Sequence, residues 1–191
     1  MRRCFFLAVL AVFFLVSPAE ANLKYYSDPV YKKLNDEDHH PMDDMRSLAE
    51  QGDVRAQFIL GDLFSKGKGG YAKDVKEARR WFEESAIHGY SYSFIRLAAI
   101  SKREKKYMEA WQWYTLAIRY LDDDSMREYA VRARNELAES RELTEEEMDK
   151  ARENIRAWED TRSSRLEAEE KDEKKKTAAL EKDKPENRSE P

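Results

Sequence analysis

Between Leu48 and Gly89 the chain reads LAEQGDVRAQFILGDLFSKGKGGYAKDVKEARRWFEESAIHG, two amphipathic stretches joined by a glycine-rich turn. In the first stretch Val54, Ala56, Phe58, Ile59, Leu60, Leu63 and Phe64 recur at helical spacing and leave one polar strip. The spacing predicts a helix from about Asp53 to Ser65, with the Asp53 carboxylate accepting from free backbone N–H groups as N-cap. Gly67, Gly69 and Gly70 end it, because glycine takes positive φ readily and weakens a helix interior. A second helix is expected from near Asp74, again an N-cap. It would bury Ala78, Trp81, Phe82, Ser85 and Ala86 and stop at Gly89.

A shortened echo runs from Gly89 to Leu121. Gly52, Ala56, Leu60 and Gly61 correspond to Gly89, Ser93, Leu97 and Ala98. Ala78, Trp81, Phe82 and Ser85 correspond to Ala110, Trp113, Tyr114 and Ala117. Small residues (Gly61, Ala98, Ala78, Ala110) fall where two helices must approach closely, and Trp81 and Trp113 fill the space beside them. In the second copy KREKKYME replaces the glycines. A repeat of this period is the mark of a helical solenoid. The expected class is therefore all-α, a short α/α superhelix of antiparallel helix pairs. Trp81, Trp113, Leu60 and Leu97 are expected in its core, as aromatic stripes at helical spacing usually are.

The set Ala56, Gln57, Leu60, Gly61, Gly67, Asp74, Ala78, Trp81, Ala86 and Gly89 resembles the Sel1-like repeat, a relative of the tetratricopeptide repeat. The second copy departs from the pattern, with Ser93 and Phe94 for the Ala-Gln pair, Ala98 for the glycine, and no glycine loop. The resemblance spans roughly Met42 to Leu121. It implies an adaptor that binds another protein, and no reaction. In related repeats the outer strip of the first helix of each pair lines the concave face. By position that strip would carry Arg55, Phe58, Asp62 and Lys66 in the first copy and Tyr92, Ile95, Lys102 and Arg103 in the second. Phe58, Tyr92 and Ile95 would then be aromatic and aliphatic anchors outside the core, a common binding arrangement.

The flanks give four segments. Residues 1–21 have the layout of a secretory signal peptide: Arg2 and Arg3, an apolar run from Cys4 to Val16, a Ser17-Pro18 break, and small residues before a cleavage point between Ala21 and Asn22. The run is shorter than the ~20 residues that span a bilayer, so no stable membrane anchor is expected after cleavage. Cleavage would take the formal charge from −4 to −5 and remove Cys4, the only cysteine. The mature chain would then rely on helix packing alone in an oxidising compartment, periplasmic or secreted.

Residues 22–41 form a polar lead-in. Its end, with the start of the next segment, reads NDEDHHPMDD and holds His39 and His40 among five acids. Imidazole with carboxylate suits a divalent metal, through His39, His40, Asp36 and Asp43. Against this, adjacent histidines point apart in most backbones and no second ligand set follows. The plainer reading is a solvated linker ending where Pro41 opens a helix.

Residues 42–158 form the repeat domain with terminal caps. Met45, Leu48 and Ala49 of a leading helix are expected to pack on the first pair, as arrays need an end cap. After the second copy, Asp122 to Ser125 caps a helix with an inner face of Met126, Tyr129, Ala130, Ala133, Leu137 and Ala138. Thr144 and Glu147 make a capping box before a stripe of Met148, Ala151, Ile155 and Trp158.

Residues 159–191 are a charged tail, helical to about Leu180 through Glu167–Lys171, Glu170–Lys174 and Asp172–Lys176 pairs, then disordered. Acids interleave with Lys174 to Lys176, so the tail lacks the net basic surface that nucleic acid requires.

No cofactor or catalytic arrangement is implied. His88 reads as a structural residue at a helix end, and GKGG lacks the spacing of a phosphate loop. Two classes of function remain: a protein-binding scaffold of the bacterial envelope, or a periplasmic metal- or ligand-binding protein using residues 36–44.

Overall fold

The computed structural model describes residues 42–140 and 143–182. The described residues form seven α-helices and no strand. They are α1 (Met42–Glu50), α2 (Val54–Lys66), α3 (Val75–Ile87), α4 (Tyr92–Arg103), α5 (Tyr107–Tyr120), α6 (Asp124–Glu139) and α7 (Glu145–Lys182). Each packs on its neighbour in sequence from α1 to α6, as an all-α solenoid of helical hairpins requires. The segment read as a signal peptide, the lead-in and the end of the tail lie outside the described residues.

Local chemistry sets the helix ends. Asp53 Oδ1 accepts from the N–H groups of Arg55 and Ala56 at 3.0 and 2.8 Å. Asp74 Oδ1 accepts from Lys76 and Glu77, and Asp123 caps α6 through Met126 N–H. Gly67 takes left-handed geometry (φ 66°) and returns its N–H to Leu63 O, closing α2. The Thr144–Glu147 box forms in both directions and starts α7.

The two repeats bury equivalent positions. Ala56, Leu60, Ala78, Trp81, Phe82 and Ser85 are buried in the first; Ser93, Leu97, Ala110, Trp113, Tyr114 and Ala117 are buried in the second. Gly61 lets α2 and α3 close up, and Ser85 Oγ donates to Val54 O at 2.7 Å, pinning the start of α2 to the end of α3. An ion cluster joins the repeats from the other side. Arg79 of α3 pairs with Glu109 of α5 and with Glu104 at 2.9 Å, and Trp113 Nε1 donates to the same Glu109 oxygen at 3.2 Å.

The leading cap packs as expected at Met45 and Ala49, but Leu48 stays 40% exposed. Three residues from Met45, it sits at the edge of the short helix's buried stripe. On α6, Ala130, Ala133 and Leu137 are buried, whereas Tyr129 is 37% exposed and meets Tyr114 in a T-shaped contact at 6.3 Å.

The C-terminal helix departs most from expectation. Residues Met148, Ala151 and Ile155 are buried as the stripe requires. Yet α7 packs chiefly on α5 rather than on α6. Its Trp158 meets Phe94 edge-on at 5.4 Å and Trp113 at 6.0 Å, while Phe94 also stacks on Trp113 and Tyr120. Packing then continues past Trp158. Arg119 and Tyr120 hold Glu159. Arg162 Nε donates to Ile87 O at 2.7 Å, and Arg165 pairs with Glu84 at 2.6 Å. Cations thus sit on the last turn of α3, the negative end of its dipole. Beyond Glu169 the helix carries only its own pairs: Glu167–Lys171 and Glu170–Lys174 as expected, but Asp172 with Lys175 rather than Lys176.

Candidate partner-binding face

Helices α2 and α4 both pack on α3, and side chains bridge them. Phe58 and Tyr90 rings meet near their starts at 4.8 Å, and Asp62 faces Arg96 a turn further on. The face they form continues onto α6 through two contacts. Tyr92 Oη donates to Asp123 Oδ2 at 3.3 Å, and Lys102 Nζ stands 3.6 Å from Glu136. Burial first, then the Asp123 carboxylate, push the Tyr92 phenol up to about 12, so it stays protonated and keeps donating at neutral pH.

The sequence-derived strip divides on this face. Arg55, Lys66, Lys102 and Arg103 are exposed, and Tyr92 and Ile95 are half-buried. Phe58 and Asp62 are not surface anchors: they are 3% and 2% exposed. Phe58 is enclosed because two rings and a guanidinium converge on it. Phe82 lies below at 5.4 Å, Tyr90 beside it, and Arg96 covers it at 5.9 Å. A helix inside a stack is flanked on two sides, so its apolar arc is wider than one partner helix demands.

Asp62 is a buried carboxylate held by two cations. Lys66 Nζ donates to Oδ2 within α2, and Arg96 Nη2 reaches from α4 to 3.2 Å of Oδ1, off the hydrogen-bonding direction. The charge is tolerable only because both partners are there. Arg96 and Tyr90, which seal Phe58 and Asp62, were not among the residues read from the sequence. Their signal was weak: Arg96 repeats no position of the first copy, and Tyr90 falls in a turn.

His88 occupies the structural place foreseen for it. Its Nδ1–H donates to Glu84 O at 2.9 Å, and Nε2 lies 3.0 Å from Glu169 of α7. Burial also lifts the Glu83 carboxyl above the ordinary range; Arg79 opposes this, and Glu109 and Glu84 reinforce it. The metal alternative at Asp36, His39, His40 and Asp43 lies outside the described side chains, as does the cleavage point at Ala21 and Asn22. Among the described residues no group of three His, Asp or Glu converges for a metal ion, and no helix is long and apolar enough to cross a membrane. No family model, no curated protein and no solved structure matches this chain.

Proposed function

We propose that this chain is an exported, non-catalytic Sel1-like repeat scaffold that binds another protein in the bacterial envelope or outside the cell. The observation carrying this reading is the bridging of α2 to α4 by Phe58–Tyr90 and Asp62–Arg96, which brings the outer strips of two repeats onto one face. Tyr92 and Ile95 offer half-buried apolar surface there, and Lys102 and Arg103 form an exposed polar rim. A small apolar centre within a charged border is how protein interfaces concentrate their energy. Buried Phe58 and the clamped Asp62 hold the backbone beneath that centre rigid, which lowers the ordering cost of binding.

The export half of the proposal rests on the charged start, apolar run and small-residue end of residues 1–21. The family half rests on the matched positions of the two repeats, whose buried sets coincide.

Affinity capture from envelope extract tests the face. Wild type is compared with Tyr92→Ala combined with Ile95→Ala, and with Lys102→Glu combined with Arg103→Glu. Both variants are expected to keep their helical circular dichroism and to lose the captured protein. Undiminished capture by both folded variants would remove this face as the binding site.

A further inference from the structure

The α2–α3 turn, the α4–α5 turn and the two helix ends that flank residues 141–142 share one end of the solenoid, and among the described residues there the charges are segregated. The α2–α3 turn and the α4–α5 turn carry Lys68, Lys73, Lys102, Arg103, Lys105 and Lys106, all exposed. On the adjoining side the end of α6 and the start of α7 carry Glu136, Glu139, Glu145, Glu146 and Glu147, also exposed. The Lys102–Glu136 contact at 3.6 Å marks the seam between the halves. The few opposite charges near the basic half are already engaged. Glu104 is held low chiefly by its hydrogen bond to Lys106, with Arg79 adding to it against the opposing effect of burial. The Asp74 carboxylate caps α3.

One backbone detail sharpens the picture. Lys105 has φ 59°, left-handed geometry in which its N–H returns to Lys102 O. The first repeat places Gly67 in that conformation at the end of α2. A glycine would adopt it without strain, so the second repeat keeps a lysine side chain where the backbone favours having none.

A surface with one basic and one acidic half is complementary to itself under a two-fold rotation, which lays the basic half of one copy on the acidic half of the other. We infer that this turn-bearing end is a self-association surface, whose occupant is a second copy of the chain. The contact is polar and exposed, so the dimer is weak, forms quickly and is screened by salt. The basic half shares Lys102 and Arg103 with the rim of the α2/α4 face, so the test variants leave both in place, and self-association does not depend on what that face binds.

Sedimentation velocity on the full chain at 20 mM and 500 mM NaCl tests the inference. The dimer is expected at low salt, with a dissociation constant at least tenfold higher at 500 mM. Association through the apolar run Cys4–Val16 would survive or strengthen at high salt, and that result overturns the proposal. Lys105→Glu with Lys106→Glu leaves the basic half four of its six cations beside two new acids. Glu145→Lys with Glu146→Lys leaves the acidic half three of its five acids beside two new lysines. Each variant thus loses most of its self-complementarity, and the mixture restores one strong half-to-half contact. Each variant alone is expected to be monomeric, and an equimolar mixture to form the heterodimer. A mixture that stays monomeric overturns the proposal. So does a monomeric wild type that pellets with vesicles containing 30 mol % anionic lipid, which would assign the basic half to a membrane surface.

Discussion

Gly61 of α2 lies against the ring of Phe82 on α3, so closely that a Cβ there would sit 2.8 Å from Cδ1. In an exposed helix, Gly→Ala stabilises by about 1 kcal/mol. Here the sign should reverse, because the added methyl forces a buried ring to move, at about 1–3 kcal/mol. Gly61→Ala is expected to lower stability in urea unfolding, and Gly61→Ala with Phe82→Leu to recover part of the loss. A stabilised single variant would show that the crossing is looser than it looks. The second repeat has the methyl already, as Ala98.

Asp62 predicts an asymmetry. Removing the two cations by Lys66→Met with Arg96→Met leaves a buried carboxylate without its clamp and is expected to cost about 3–5 kcal/mol. Removing the anion by Asp62→Leu leaves two long cations that can turn to water, and the loss should be about 1 kcal/mol or less. Chemical denaturation of the two variants side by side decides it; equal losses would mean that Asp62 is not the group whose burial matters.

The aromatic cluster predicts how α7 comes off. Trp81→Ala and Trp113→Ala should each lower stability by about 3–5 kcal/mol, since both remove large buried rings. Trp158→Ala should act more locally. Hydrogen exchange is expected to accelerate along Met148–Glu169 and leave α2 and α3 protected, because Trp158 joins α7 to Phe94 and Trp113. Uniform acceleration through all helices would show that α7 cannot open separately.

Glu83 predicts a pH effect of defined sign. Its carboxyl is raised by burial, so the folded state binds that proton more tightly than the unfolded chain does. Such a group contributes stability below its unfolded value and loses it as pH rises through the folded one. At pH 7 the ionised Glu83 therefore weakens the fold, and Glu83→Gln should raise the Tm. The gain should shrink toward pH 4. Thermal melts of both proteins at the two pH values check it, and a gain that grows on acidification would contradict the assigned direction.

Glu159 and Glu169 run the opposite way. Burial raises each carboxyl, but hydrogen bonds from Arg119 and Tyr120 to Glu159, and from Arg165 and His88 to Glu169, outweigh it and hold both low. Their contribution is present above the unfolded value and is lost as pH falls through the folded one. Acid should therefore loosen α7 before the repeats unfold, visible as Trp158 fluorescence changing ahead of helical circular dichroism. Coincident transitions would count against it.

The helix ends were legible because capping is local: Asp53, Asp74 and the Thr144–Glu147 box declare themselves within four residues. The cores of the two repeats were legible for the same reason, since one periodicity fixes one stripe. Phe58 was not. Whether an aromatic beside the stripe is covered depends on Tyr90 and Arg96, a repeat away in sequence, and no single-helix pattern contains them. The reach of α7 was hidden differently. Arg162, Arg165 and Glu169 sit at spacings that read as solvated intrahelical pairs, and Arg165 does pair with Glu169 at 2.8 Å. The same side chains also clasp Glu84, His88 and Ile87 O, which is a tertiary fact.

That clasp sets the mechanics of the tail. α7 is one unbroken helix of 38 residues, and its last hold on the repeats is at Glu169, so about 20 Å of rod projects beyond it. A cargo or tether fixed near Lys182 would swing as a lever about the end of α3. Its torque would fall on the Arg165–Glu84 and Glu169–His88 joints of the first repeat, several helices away from the hairpin that precedes α7 in the chain.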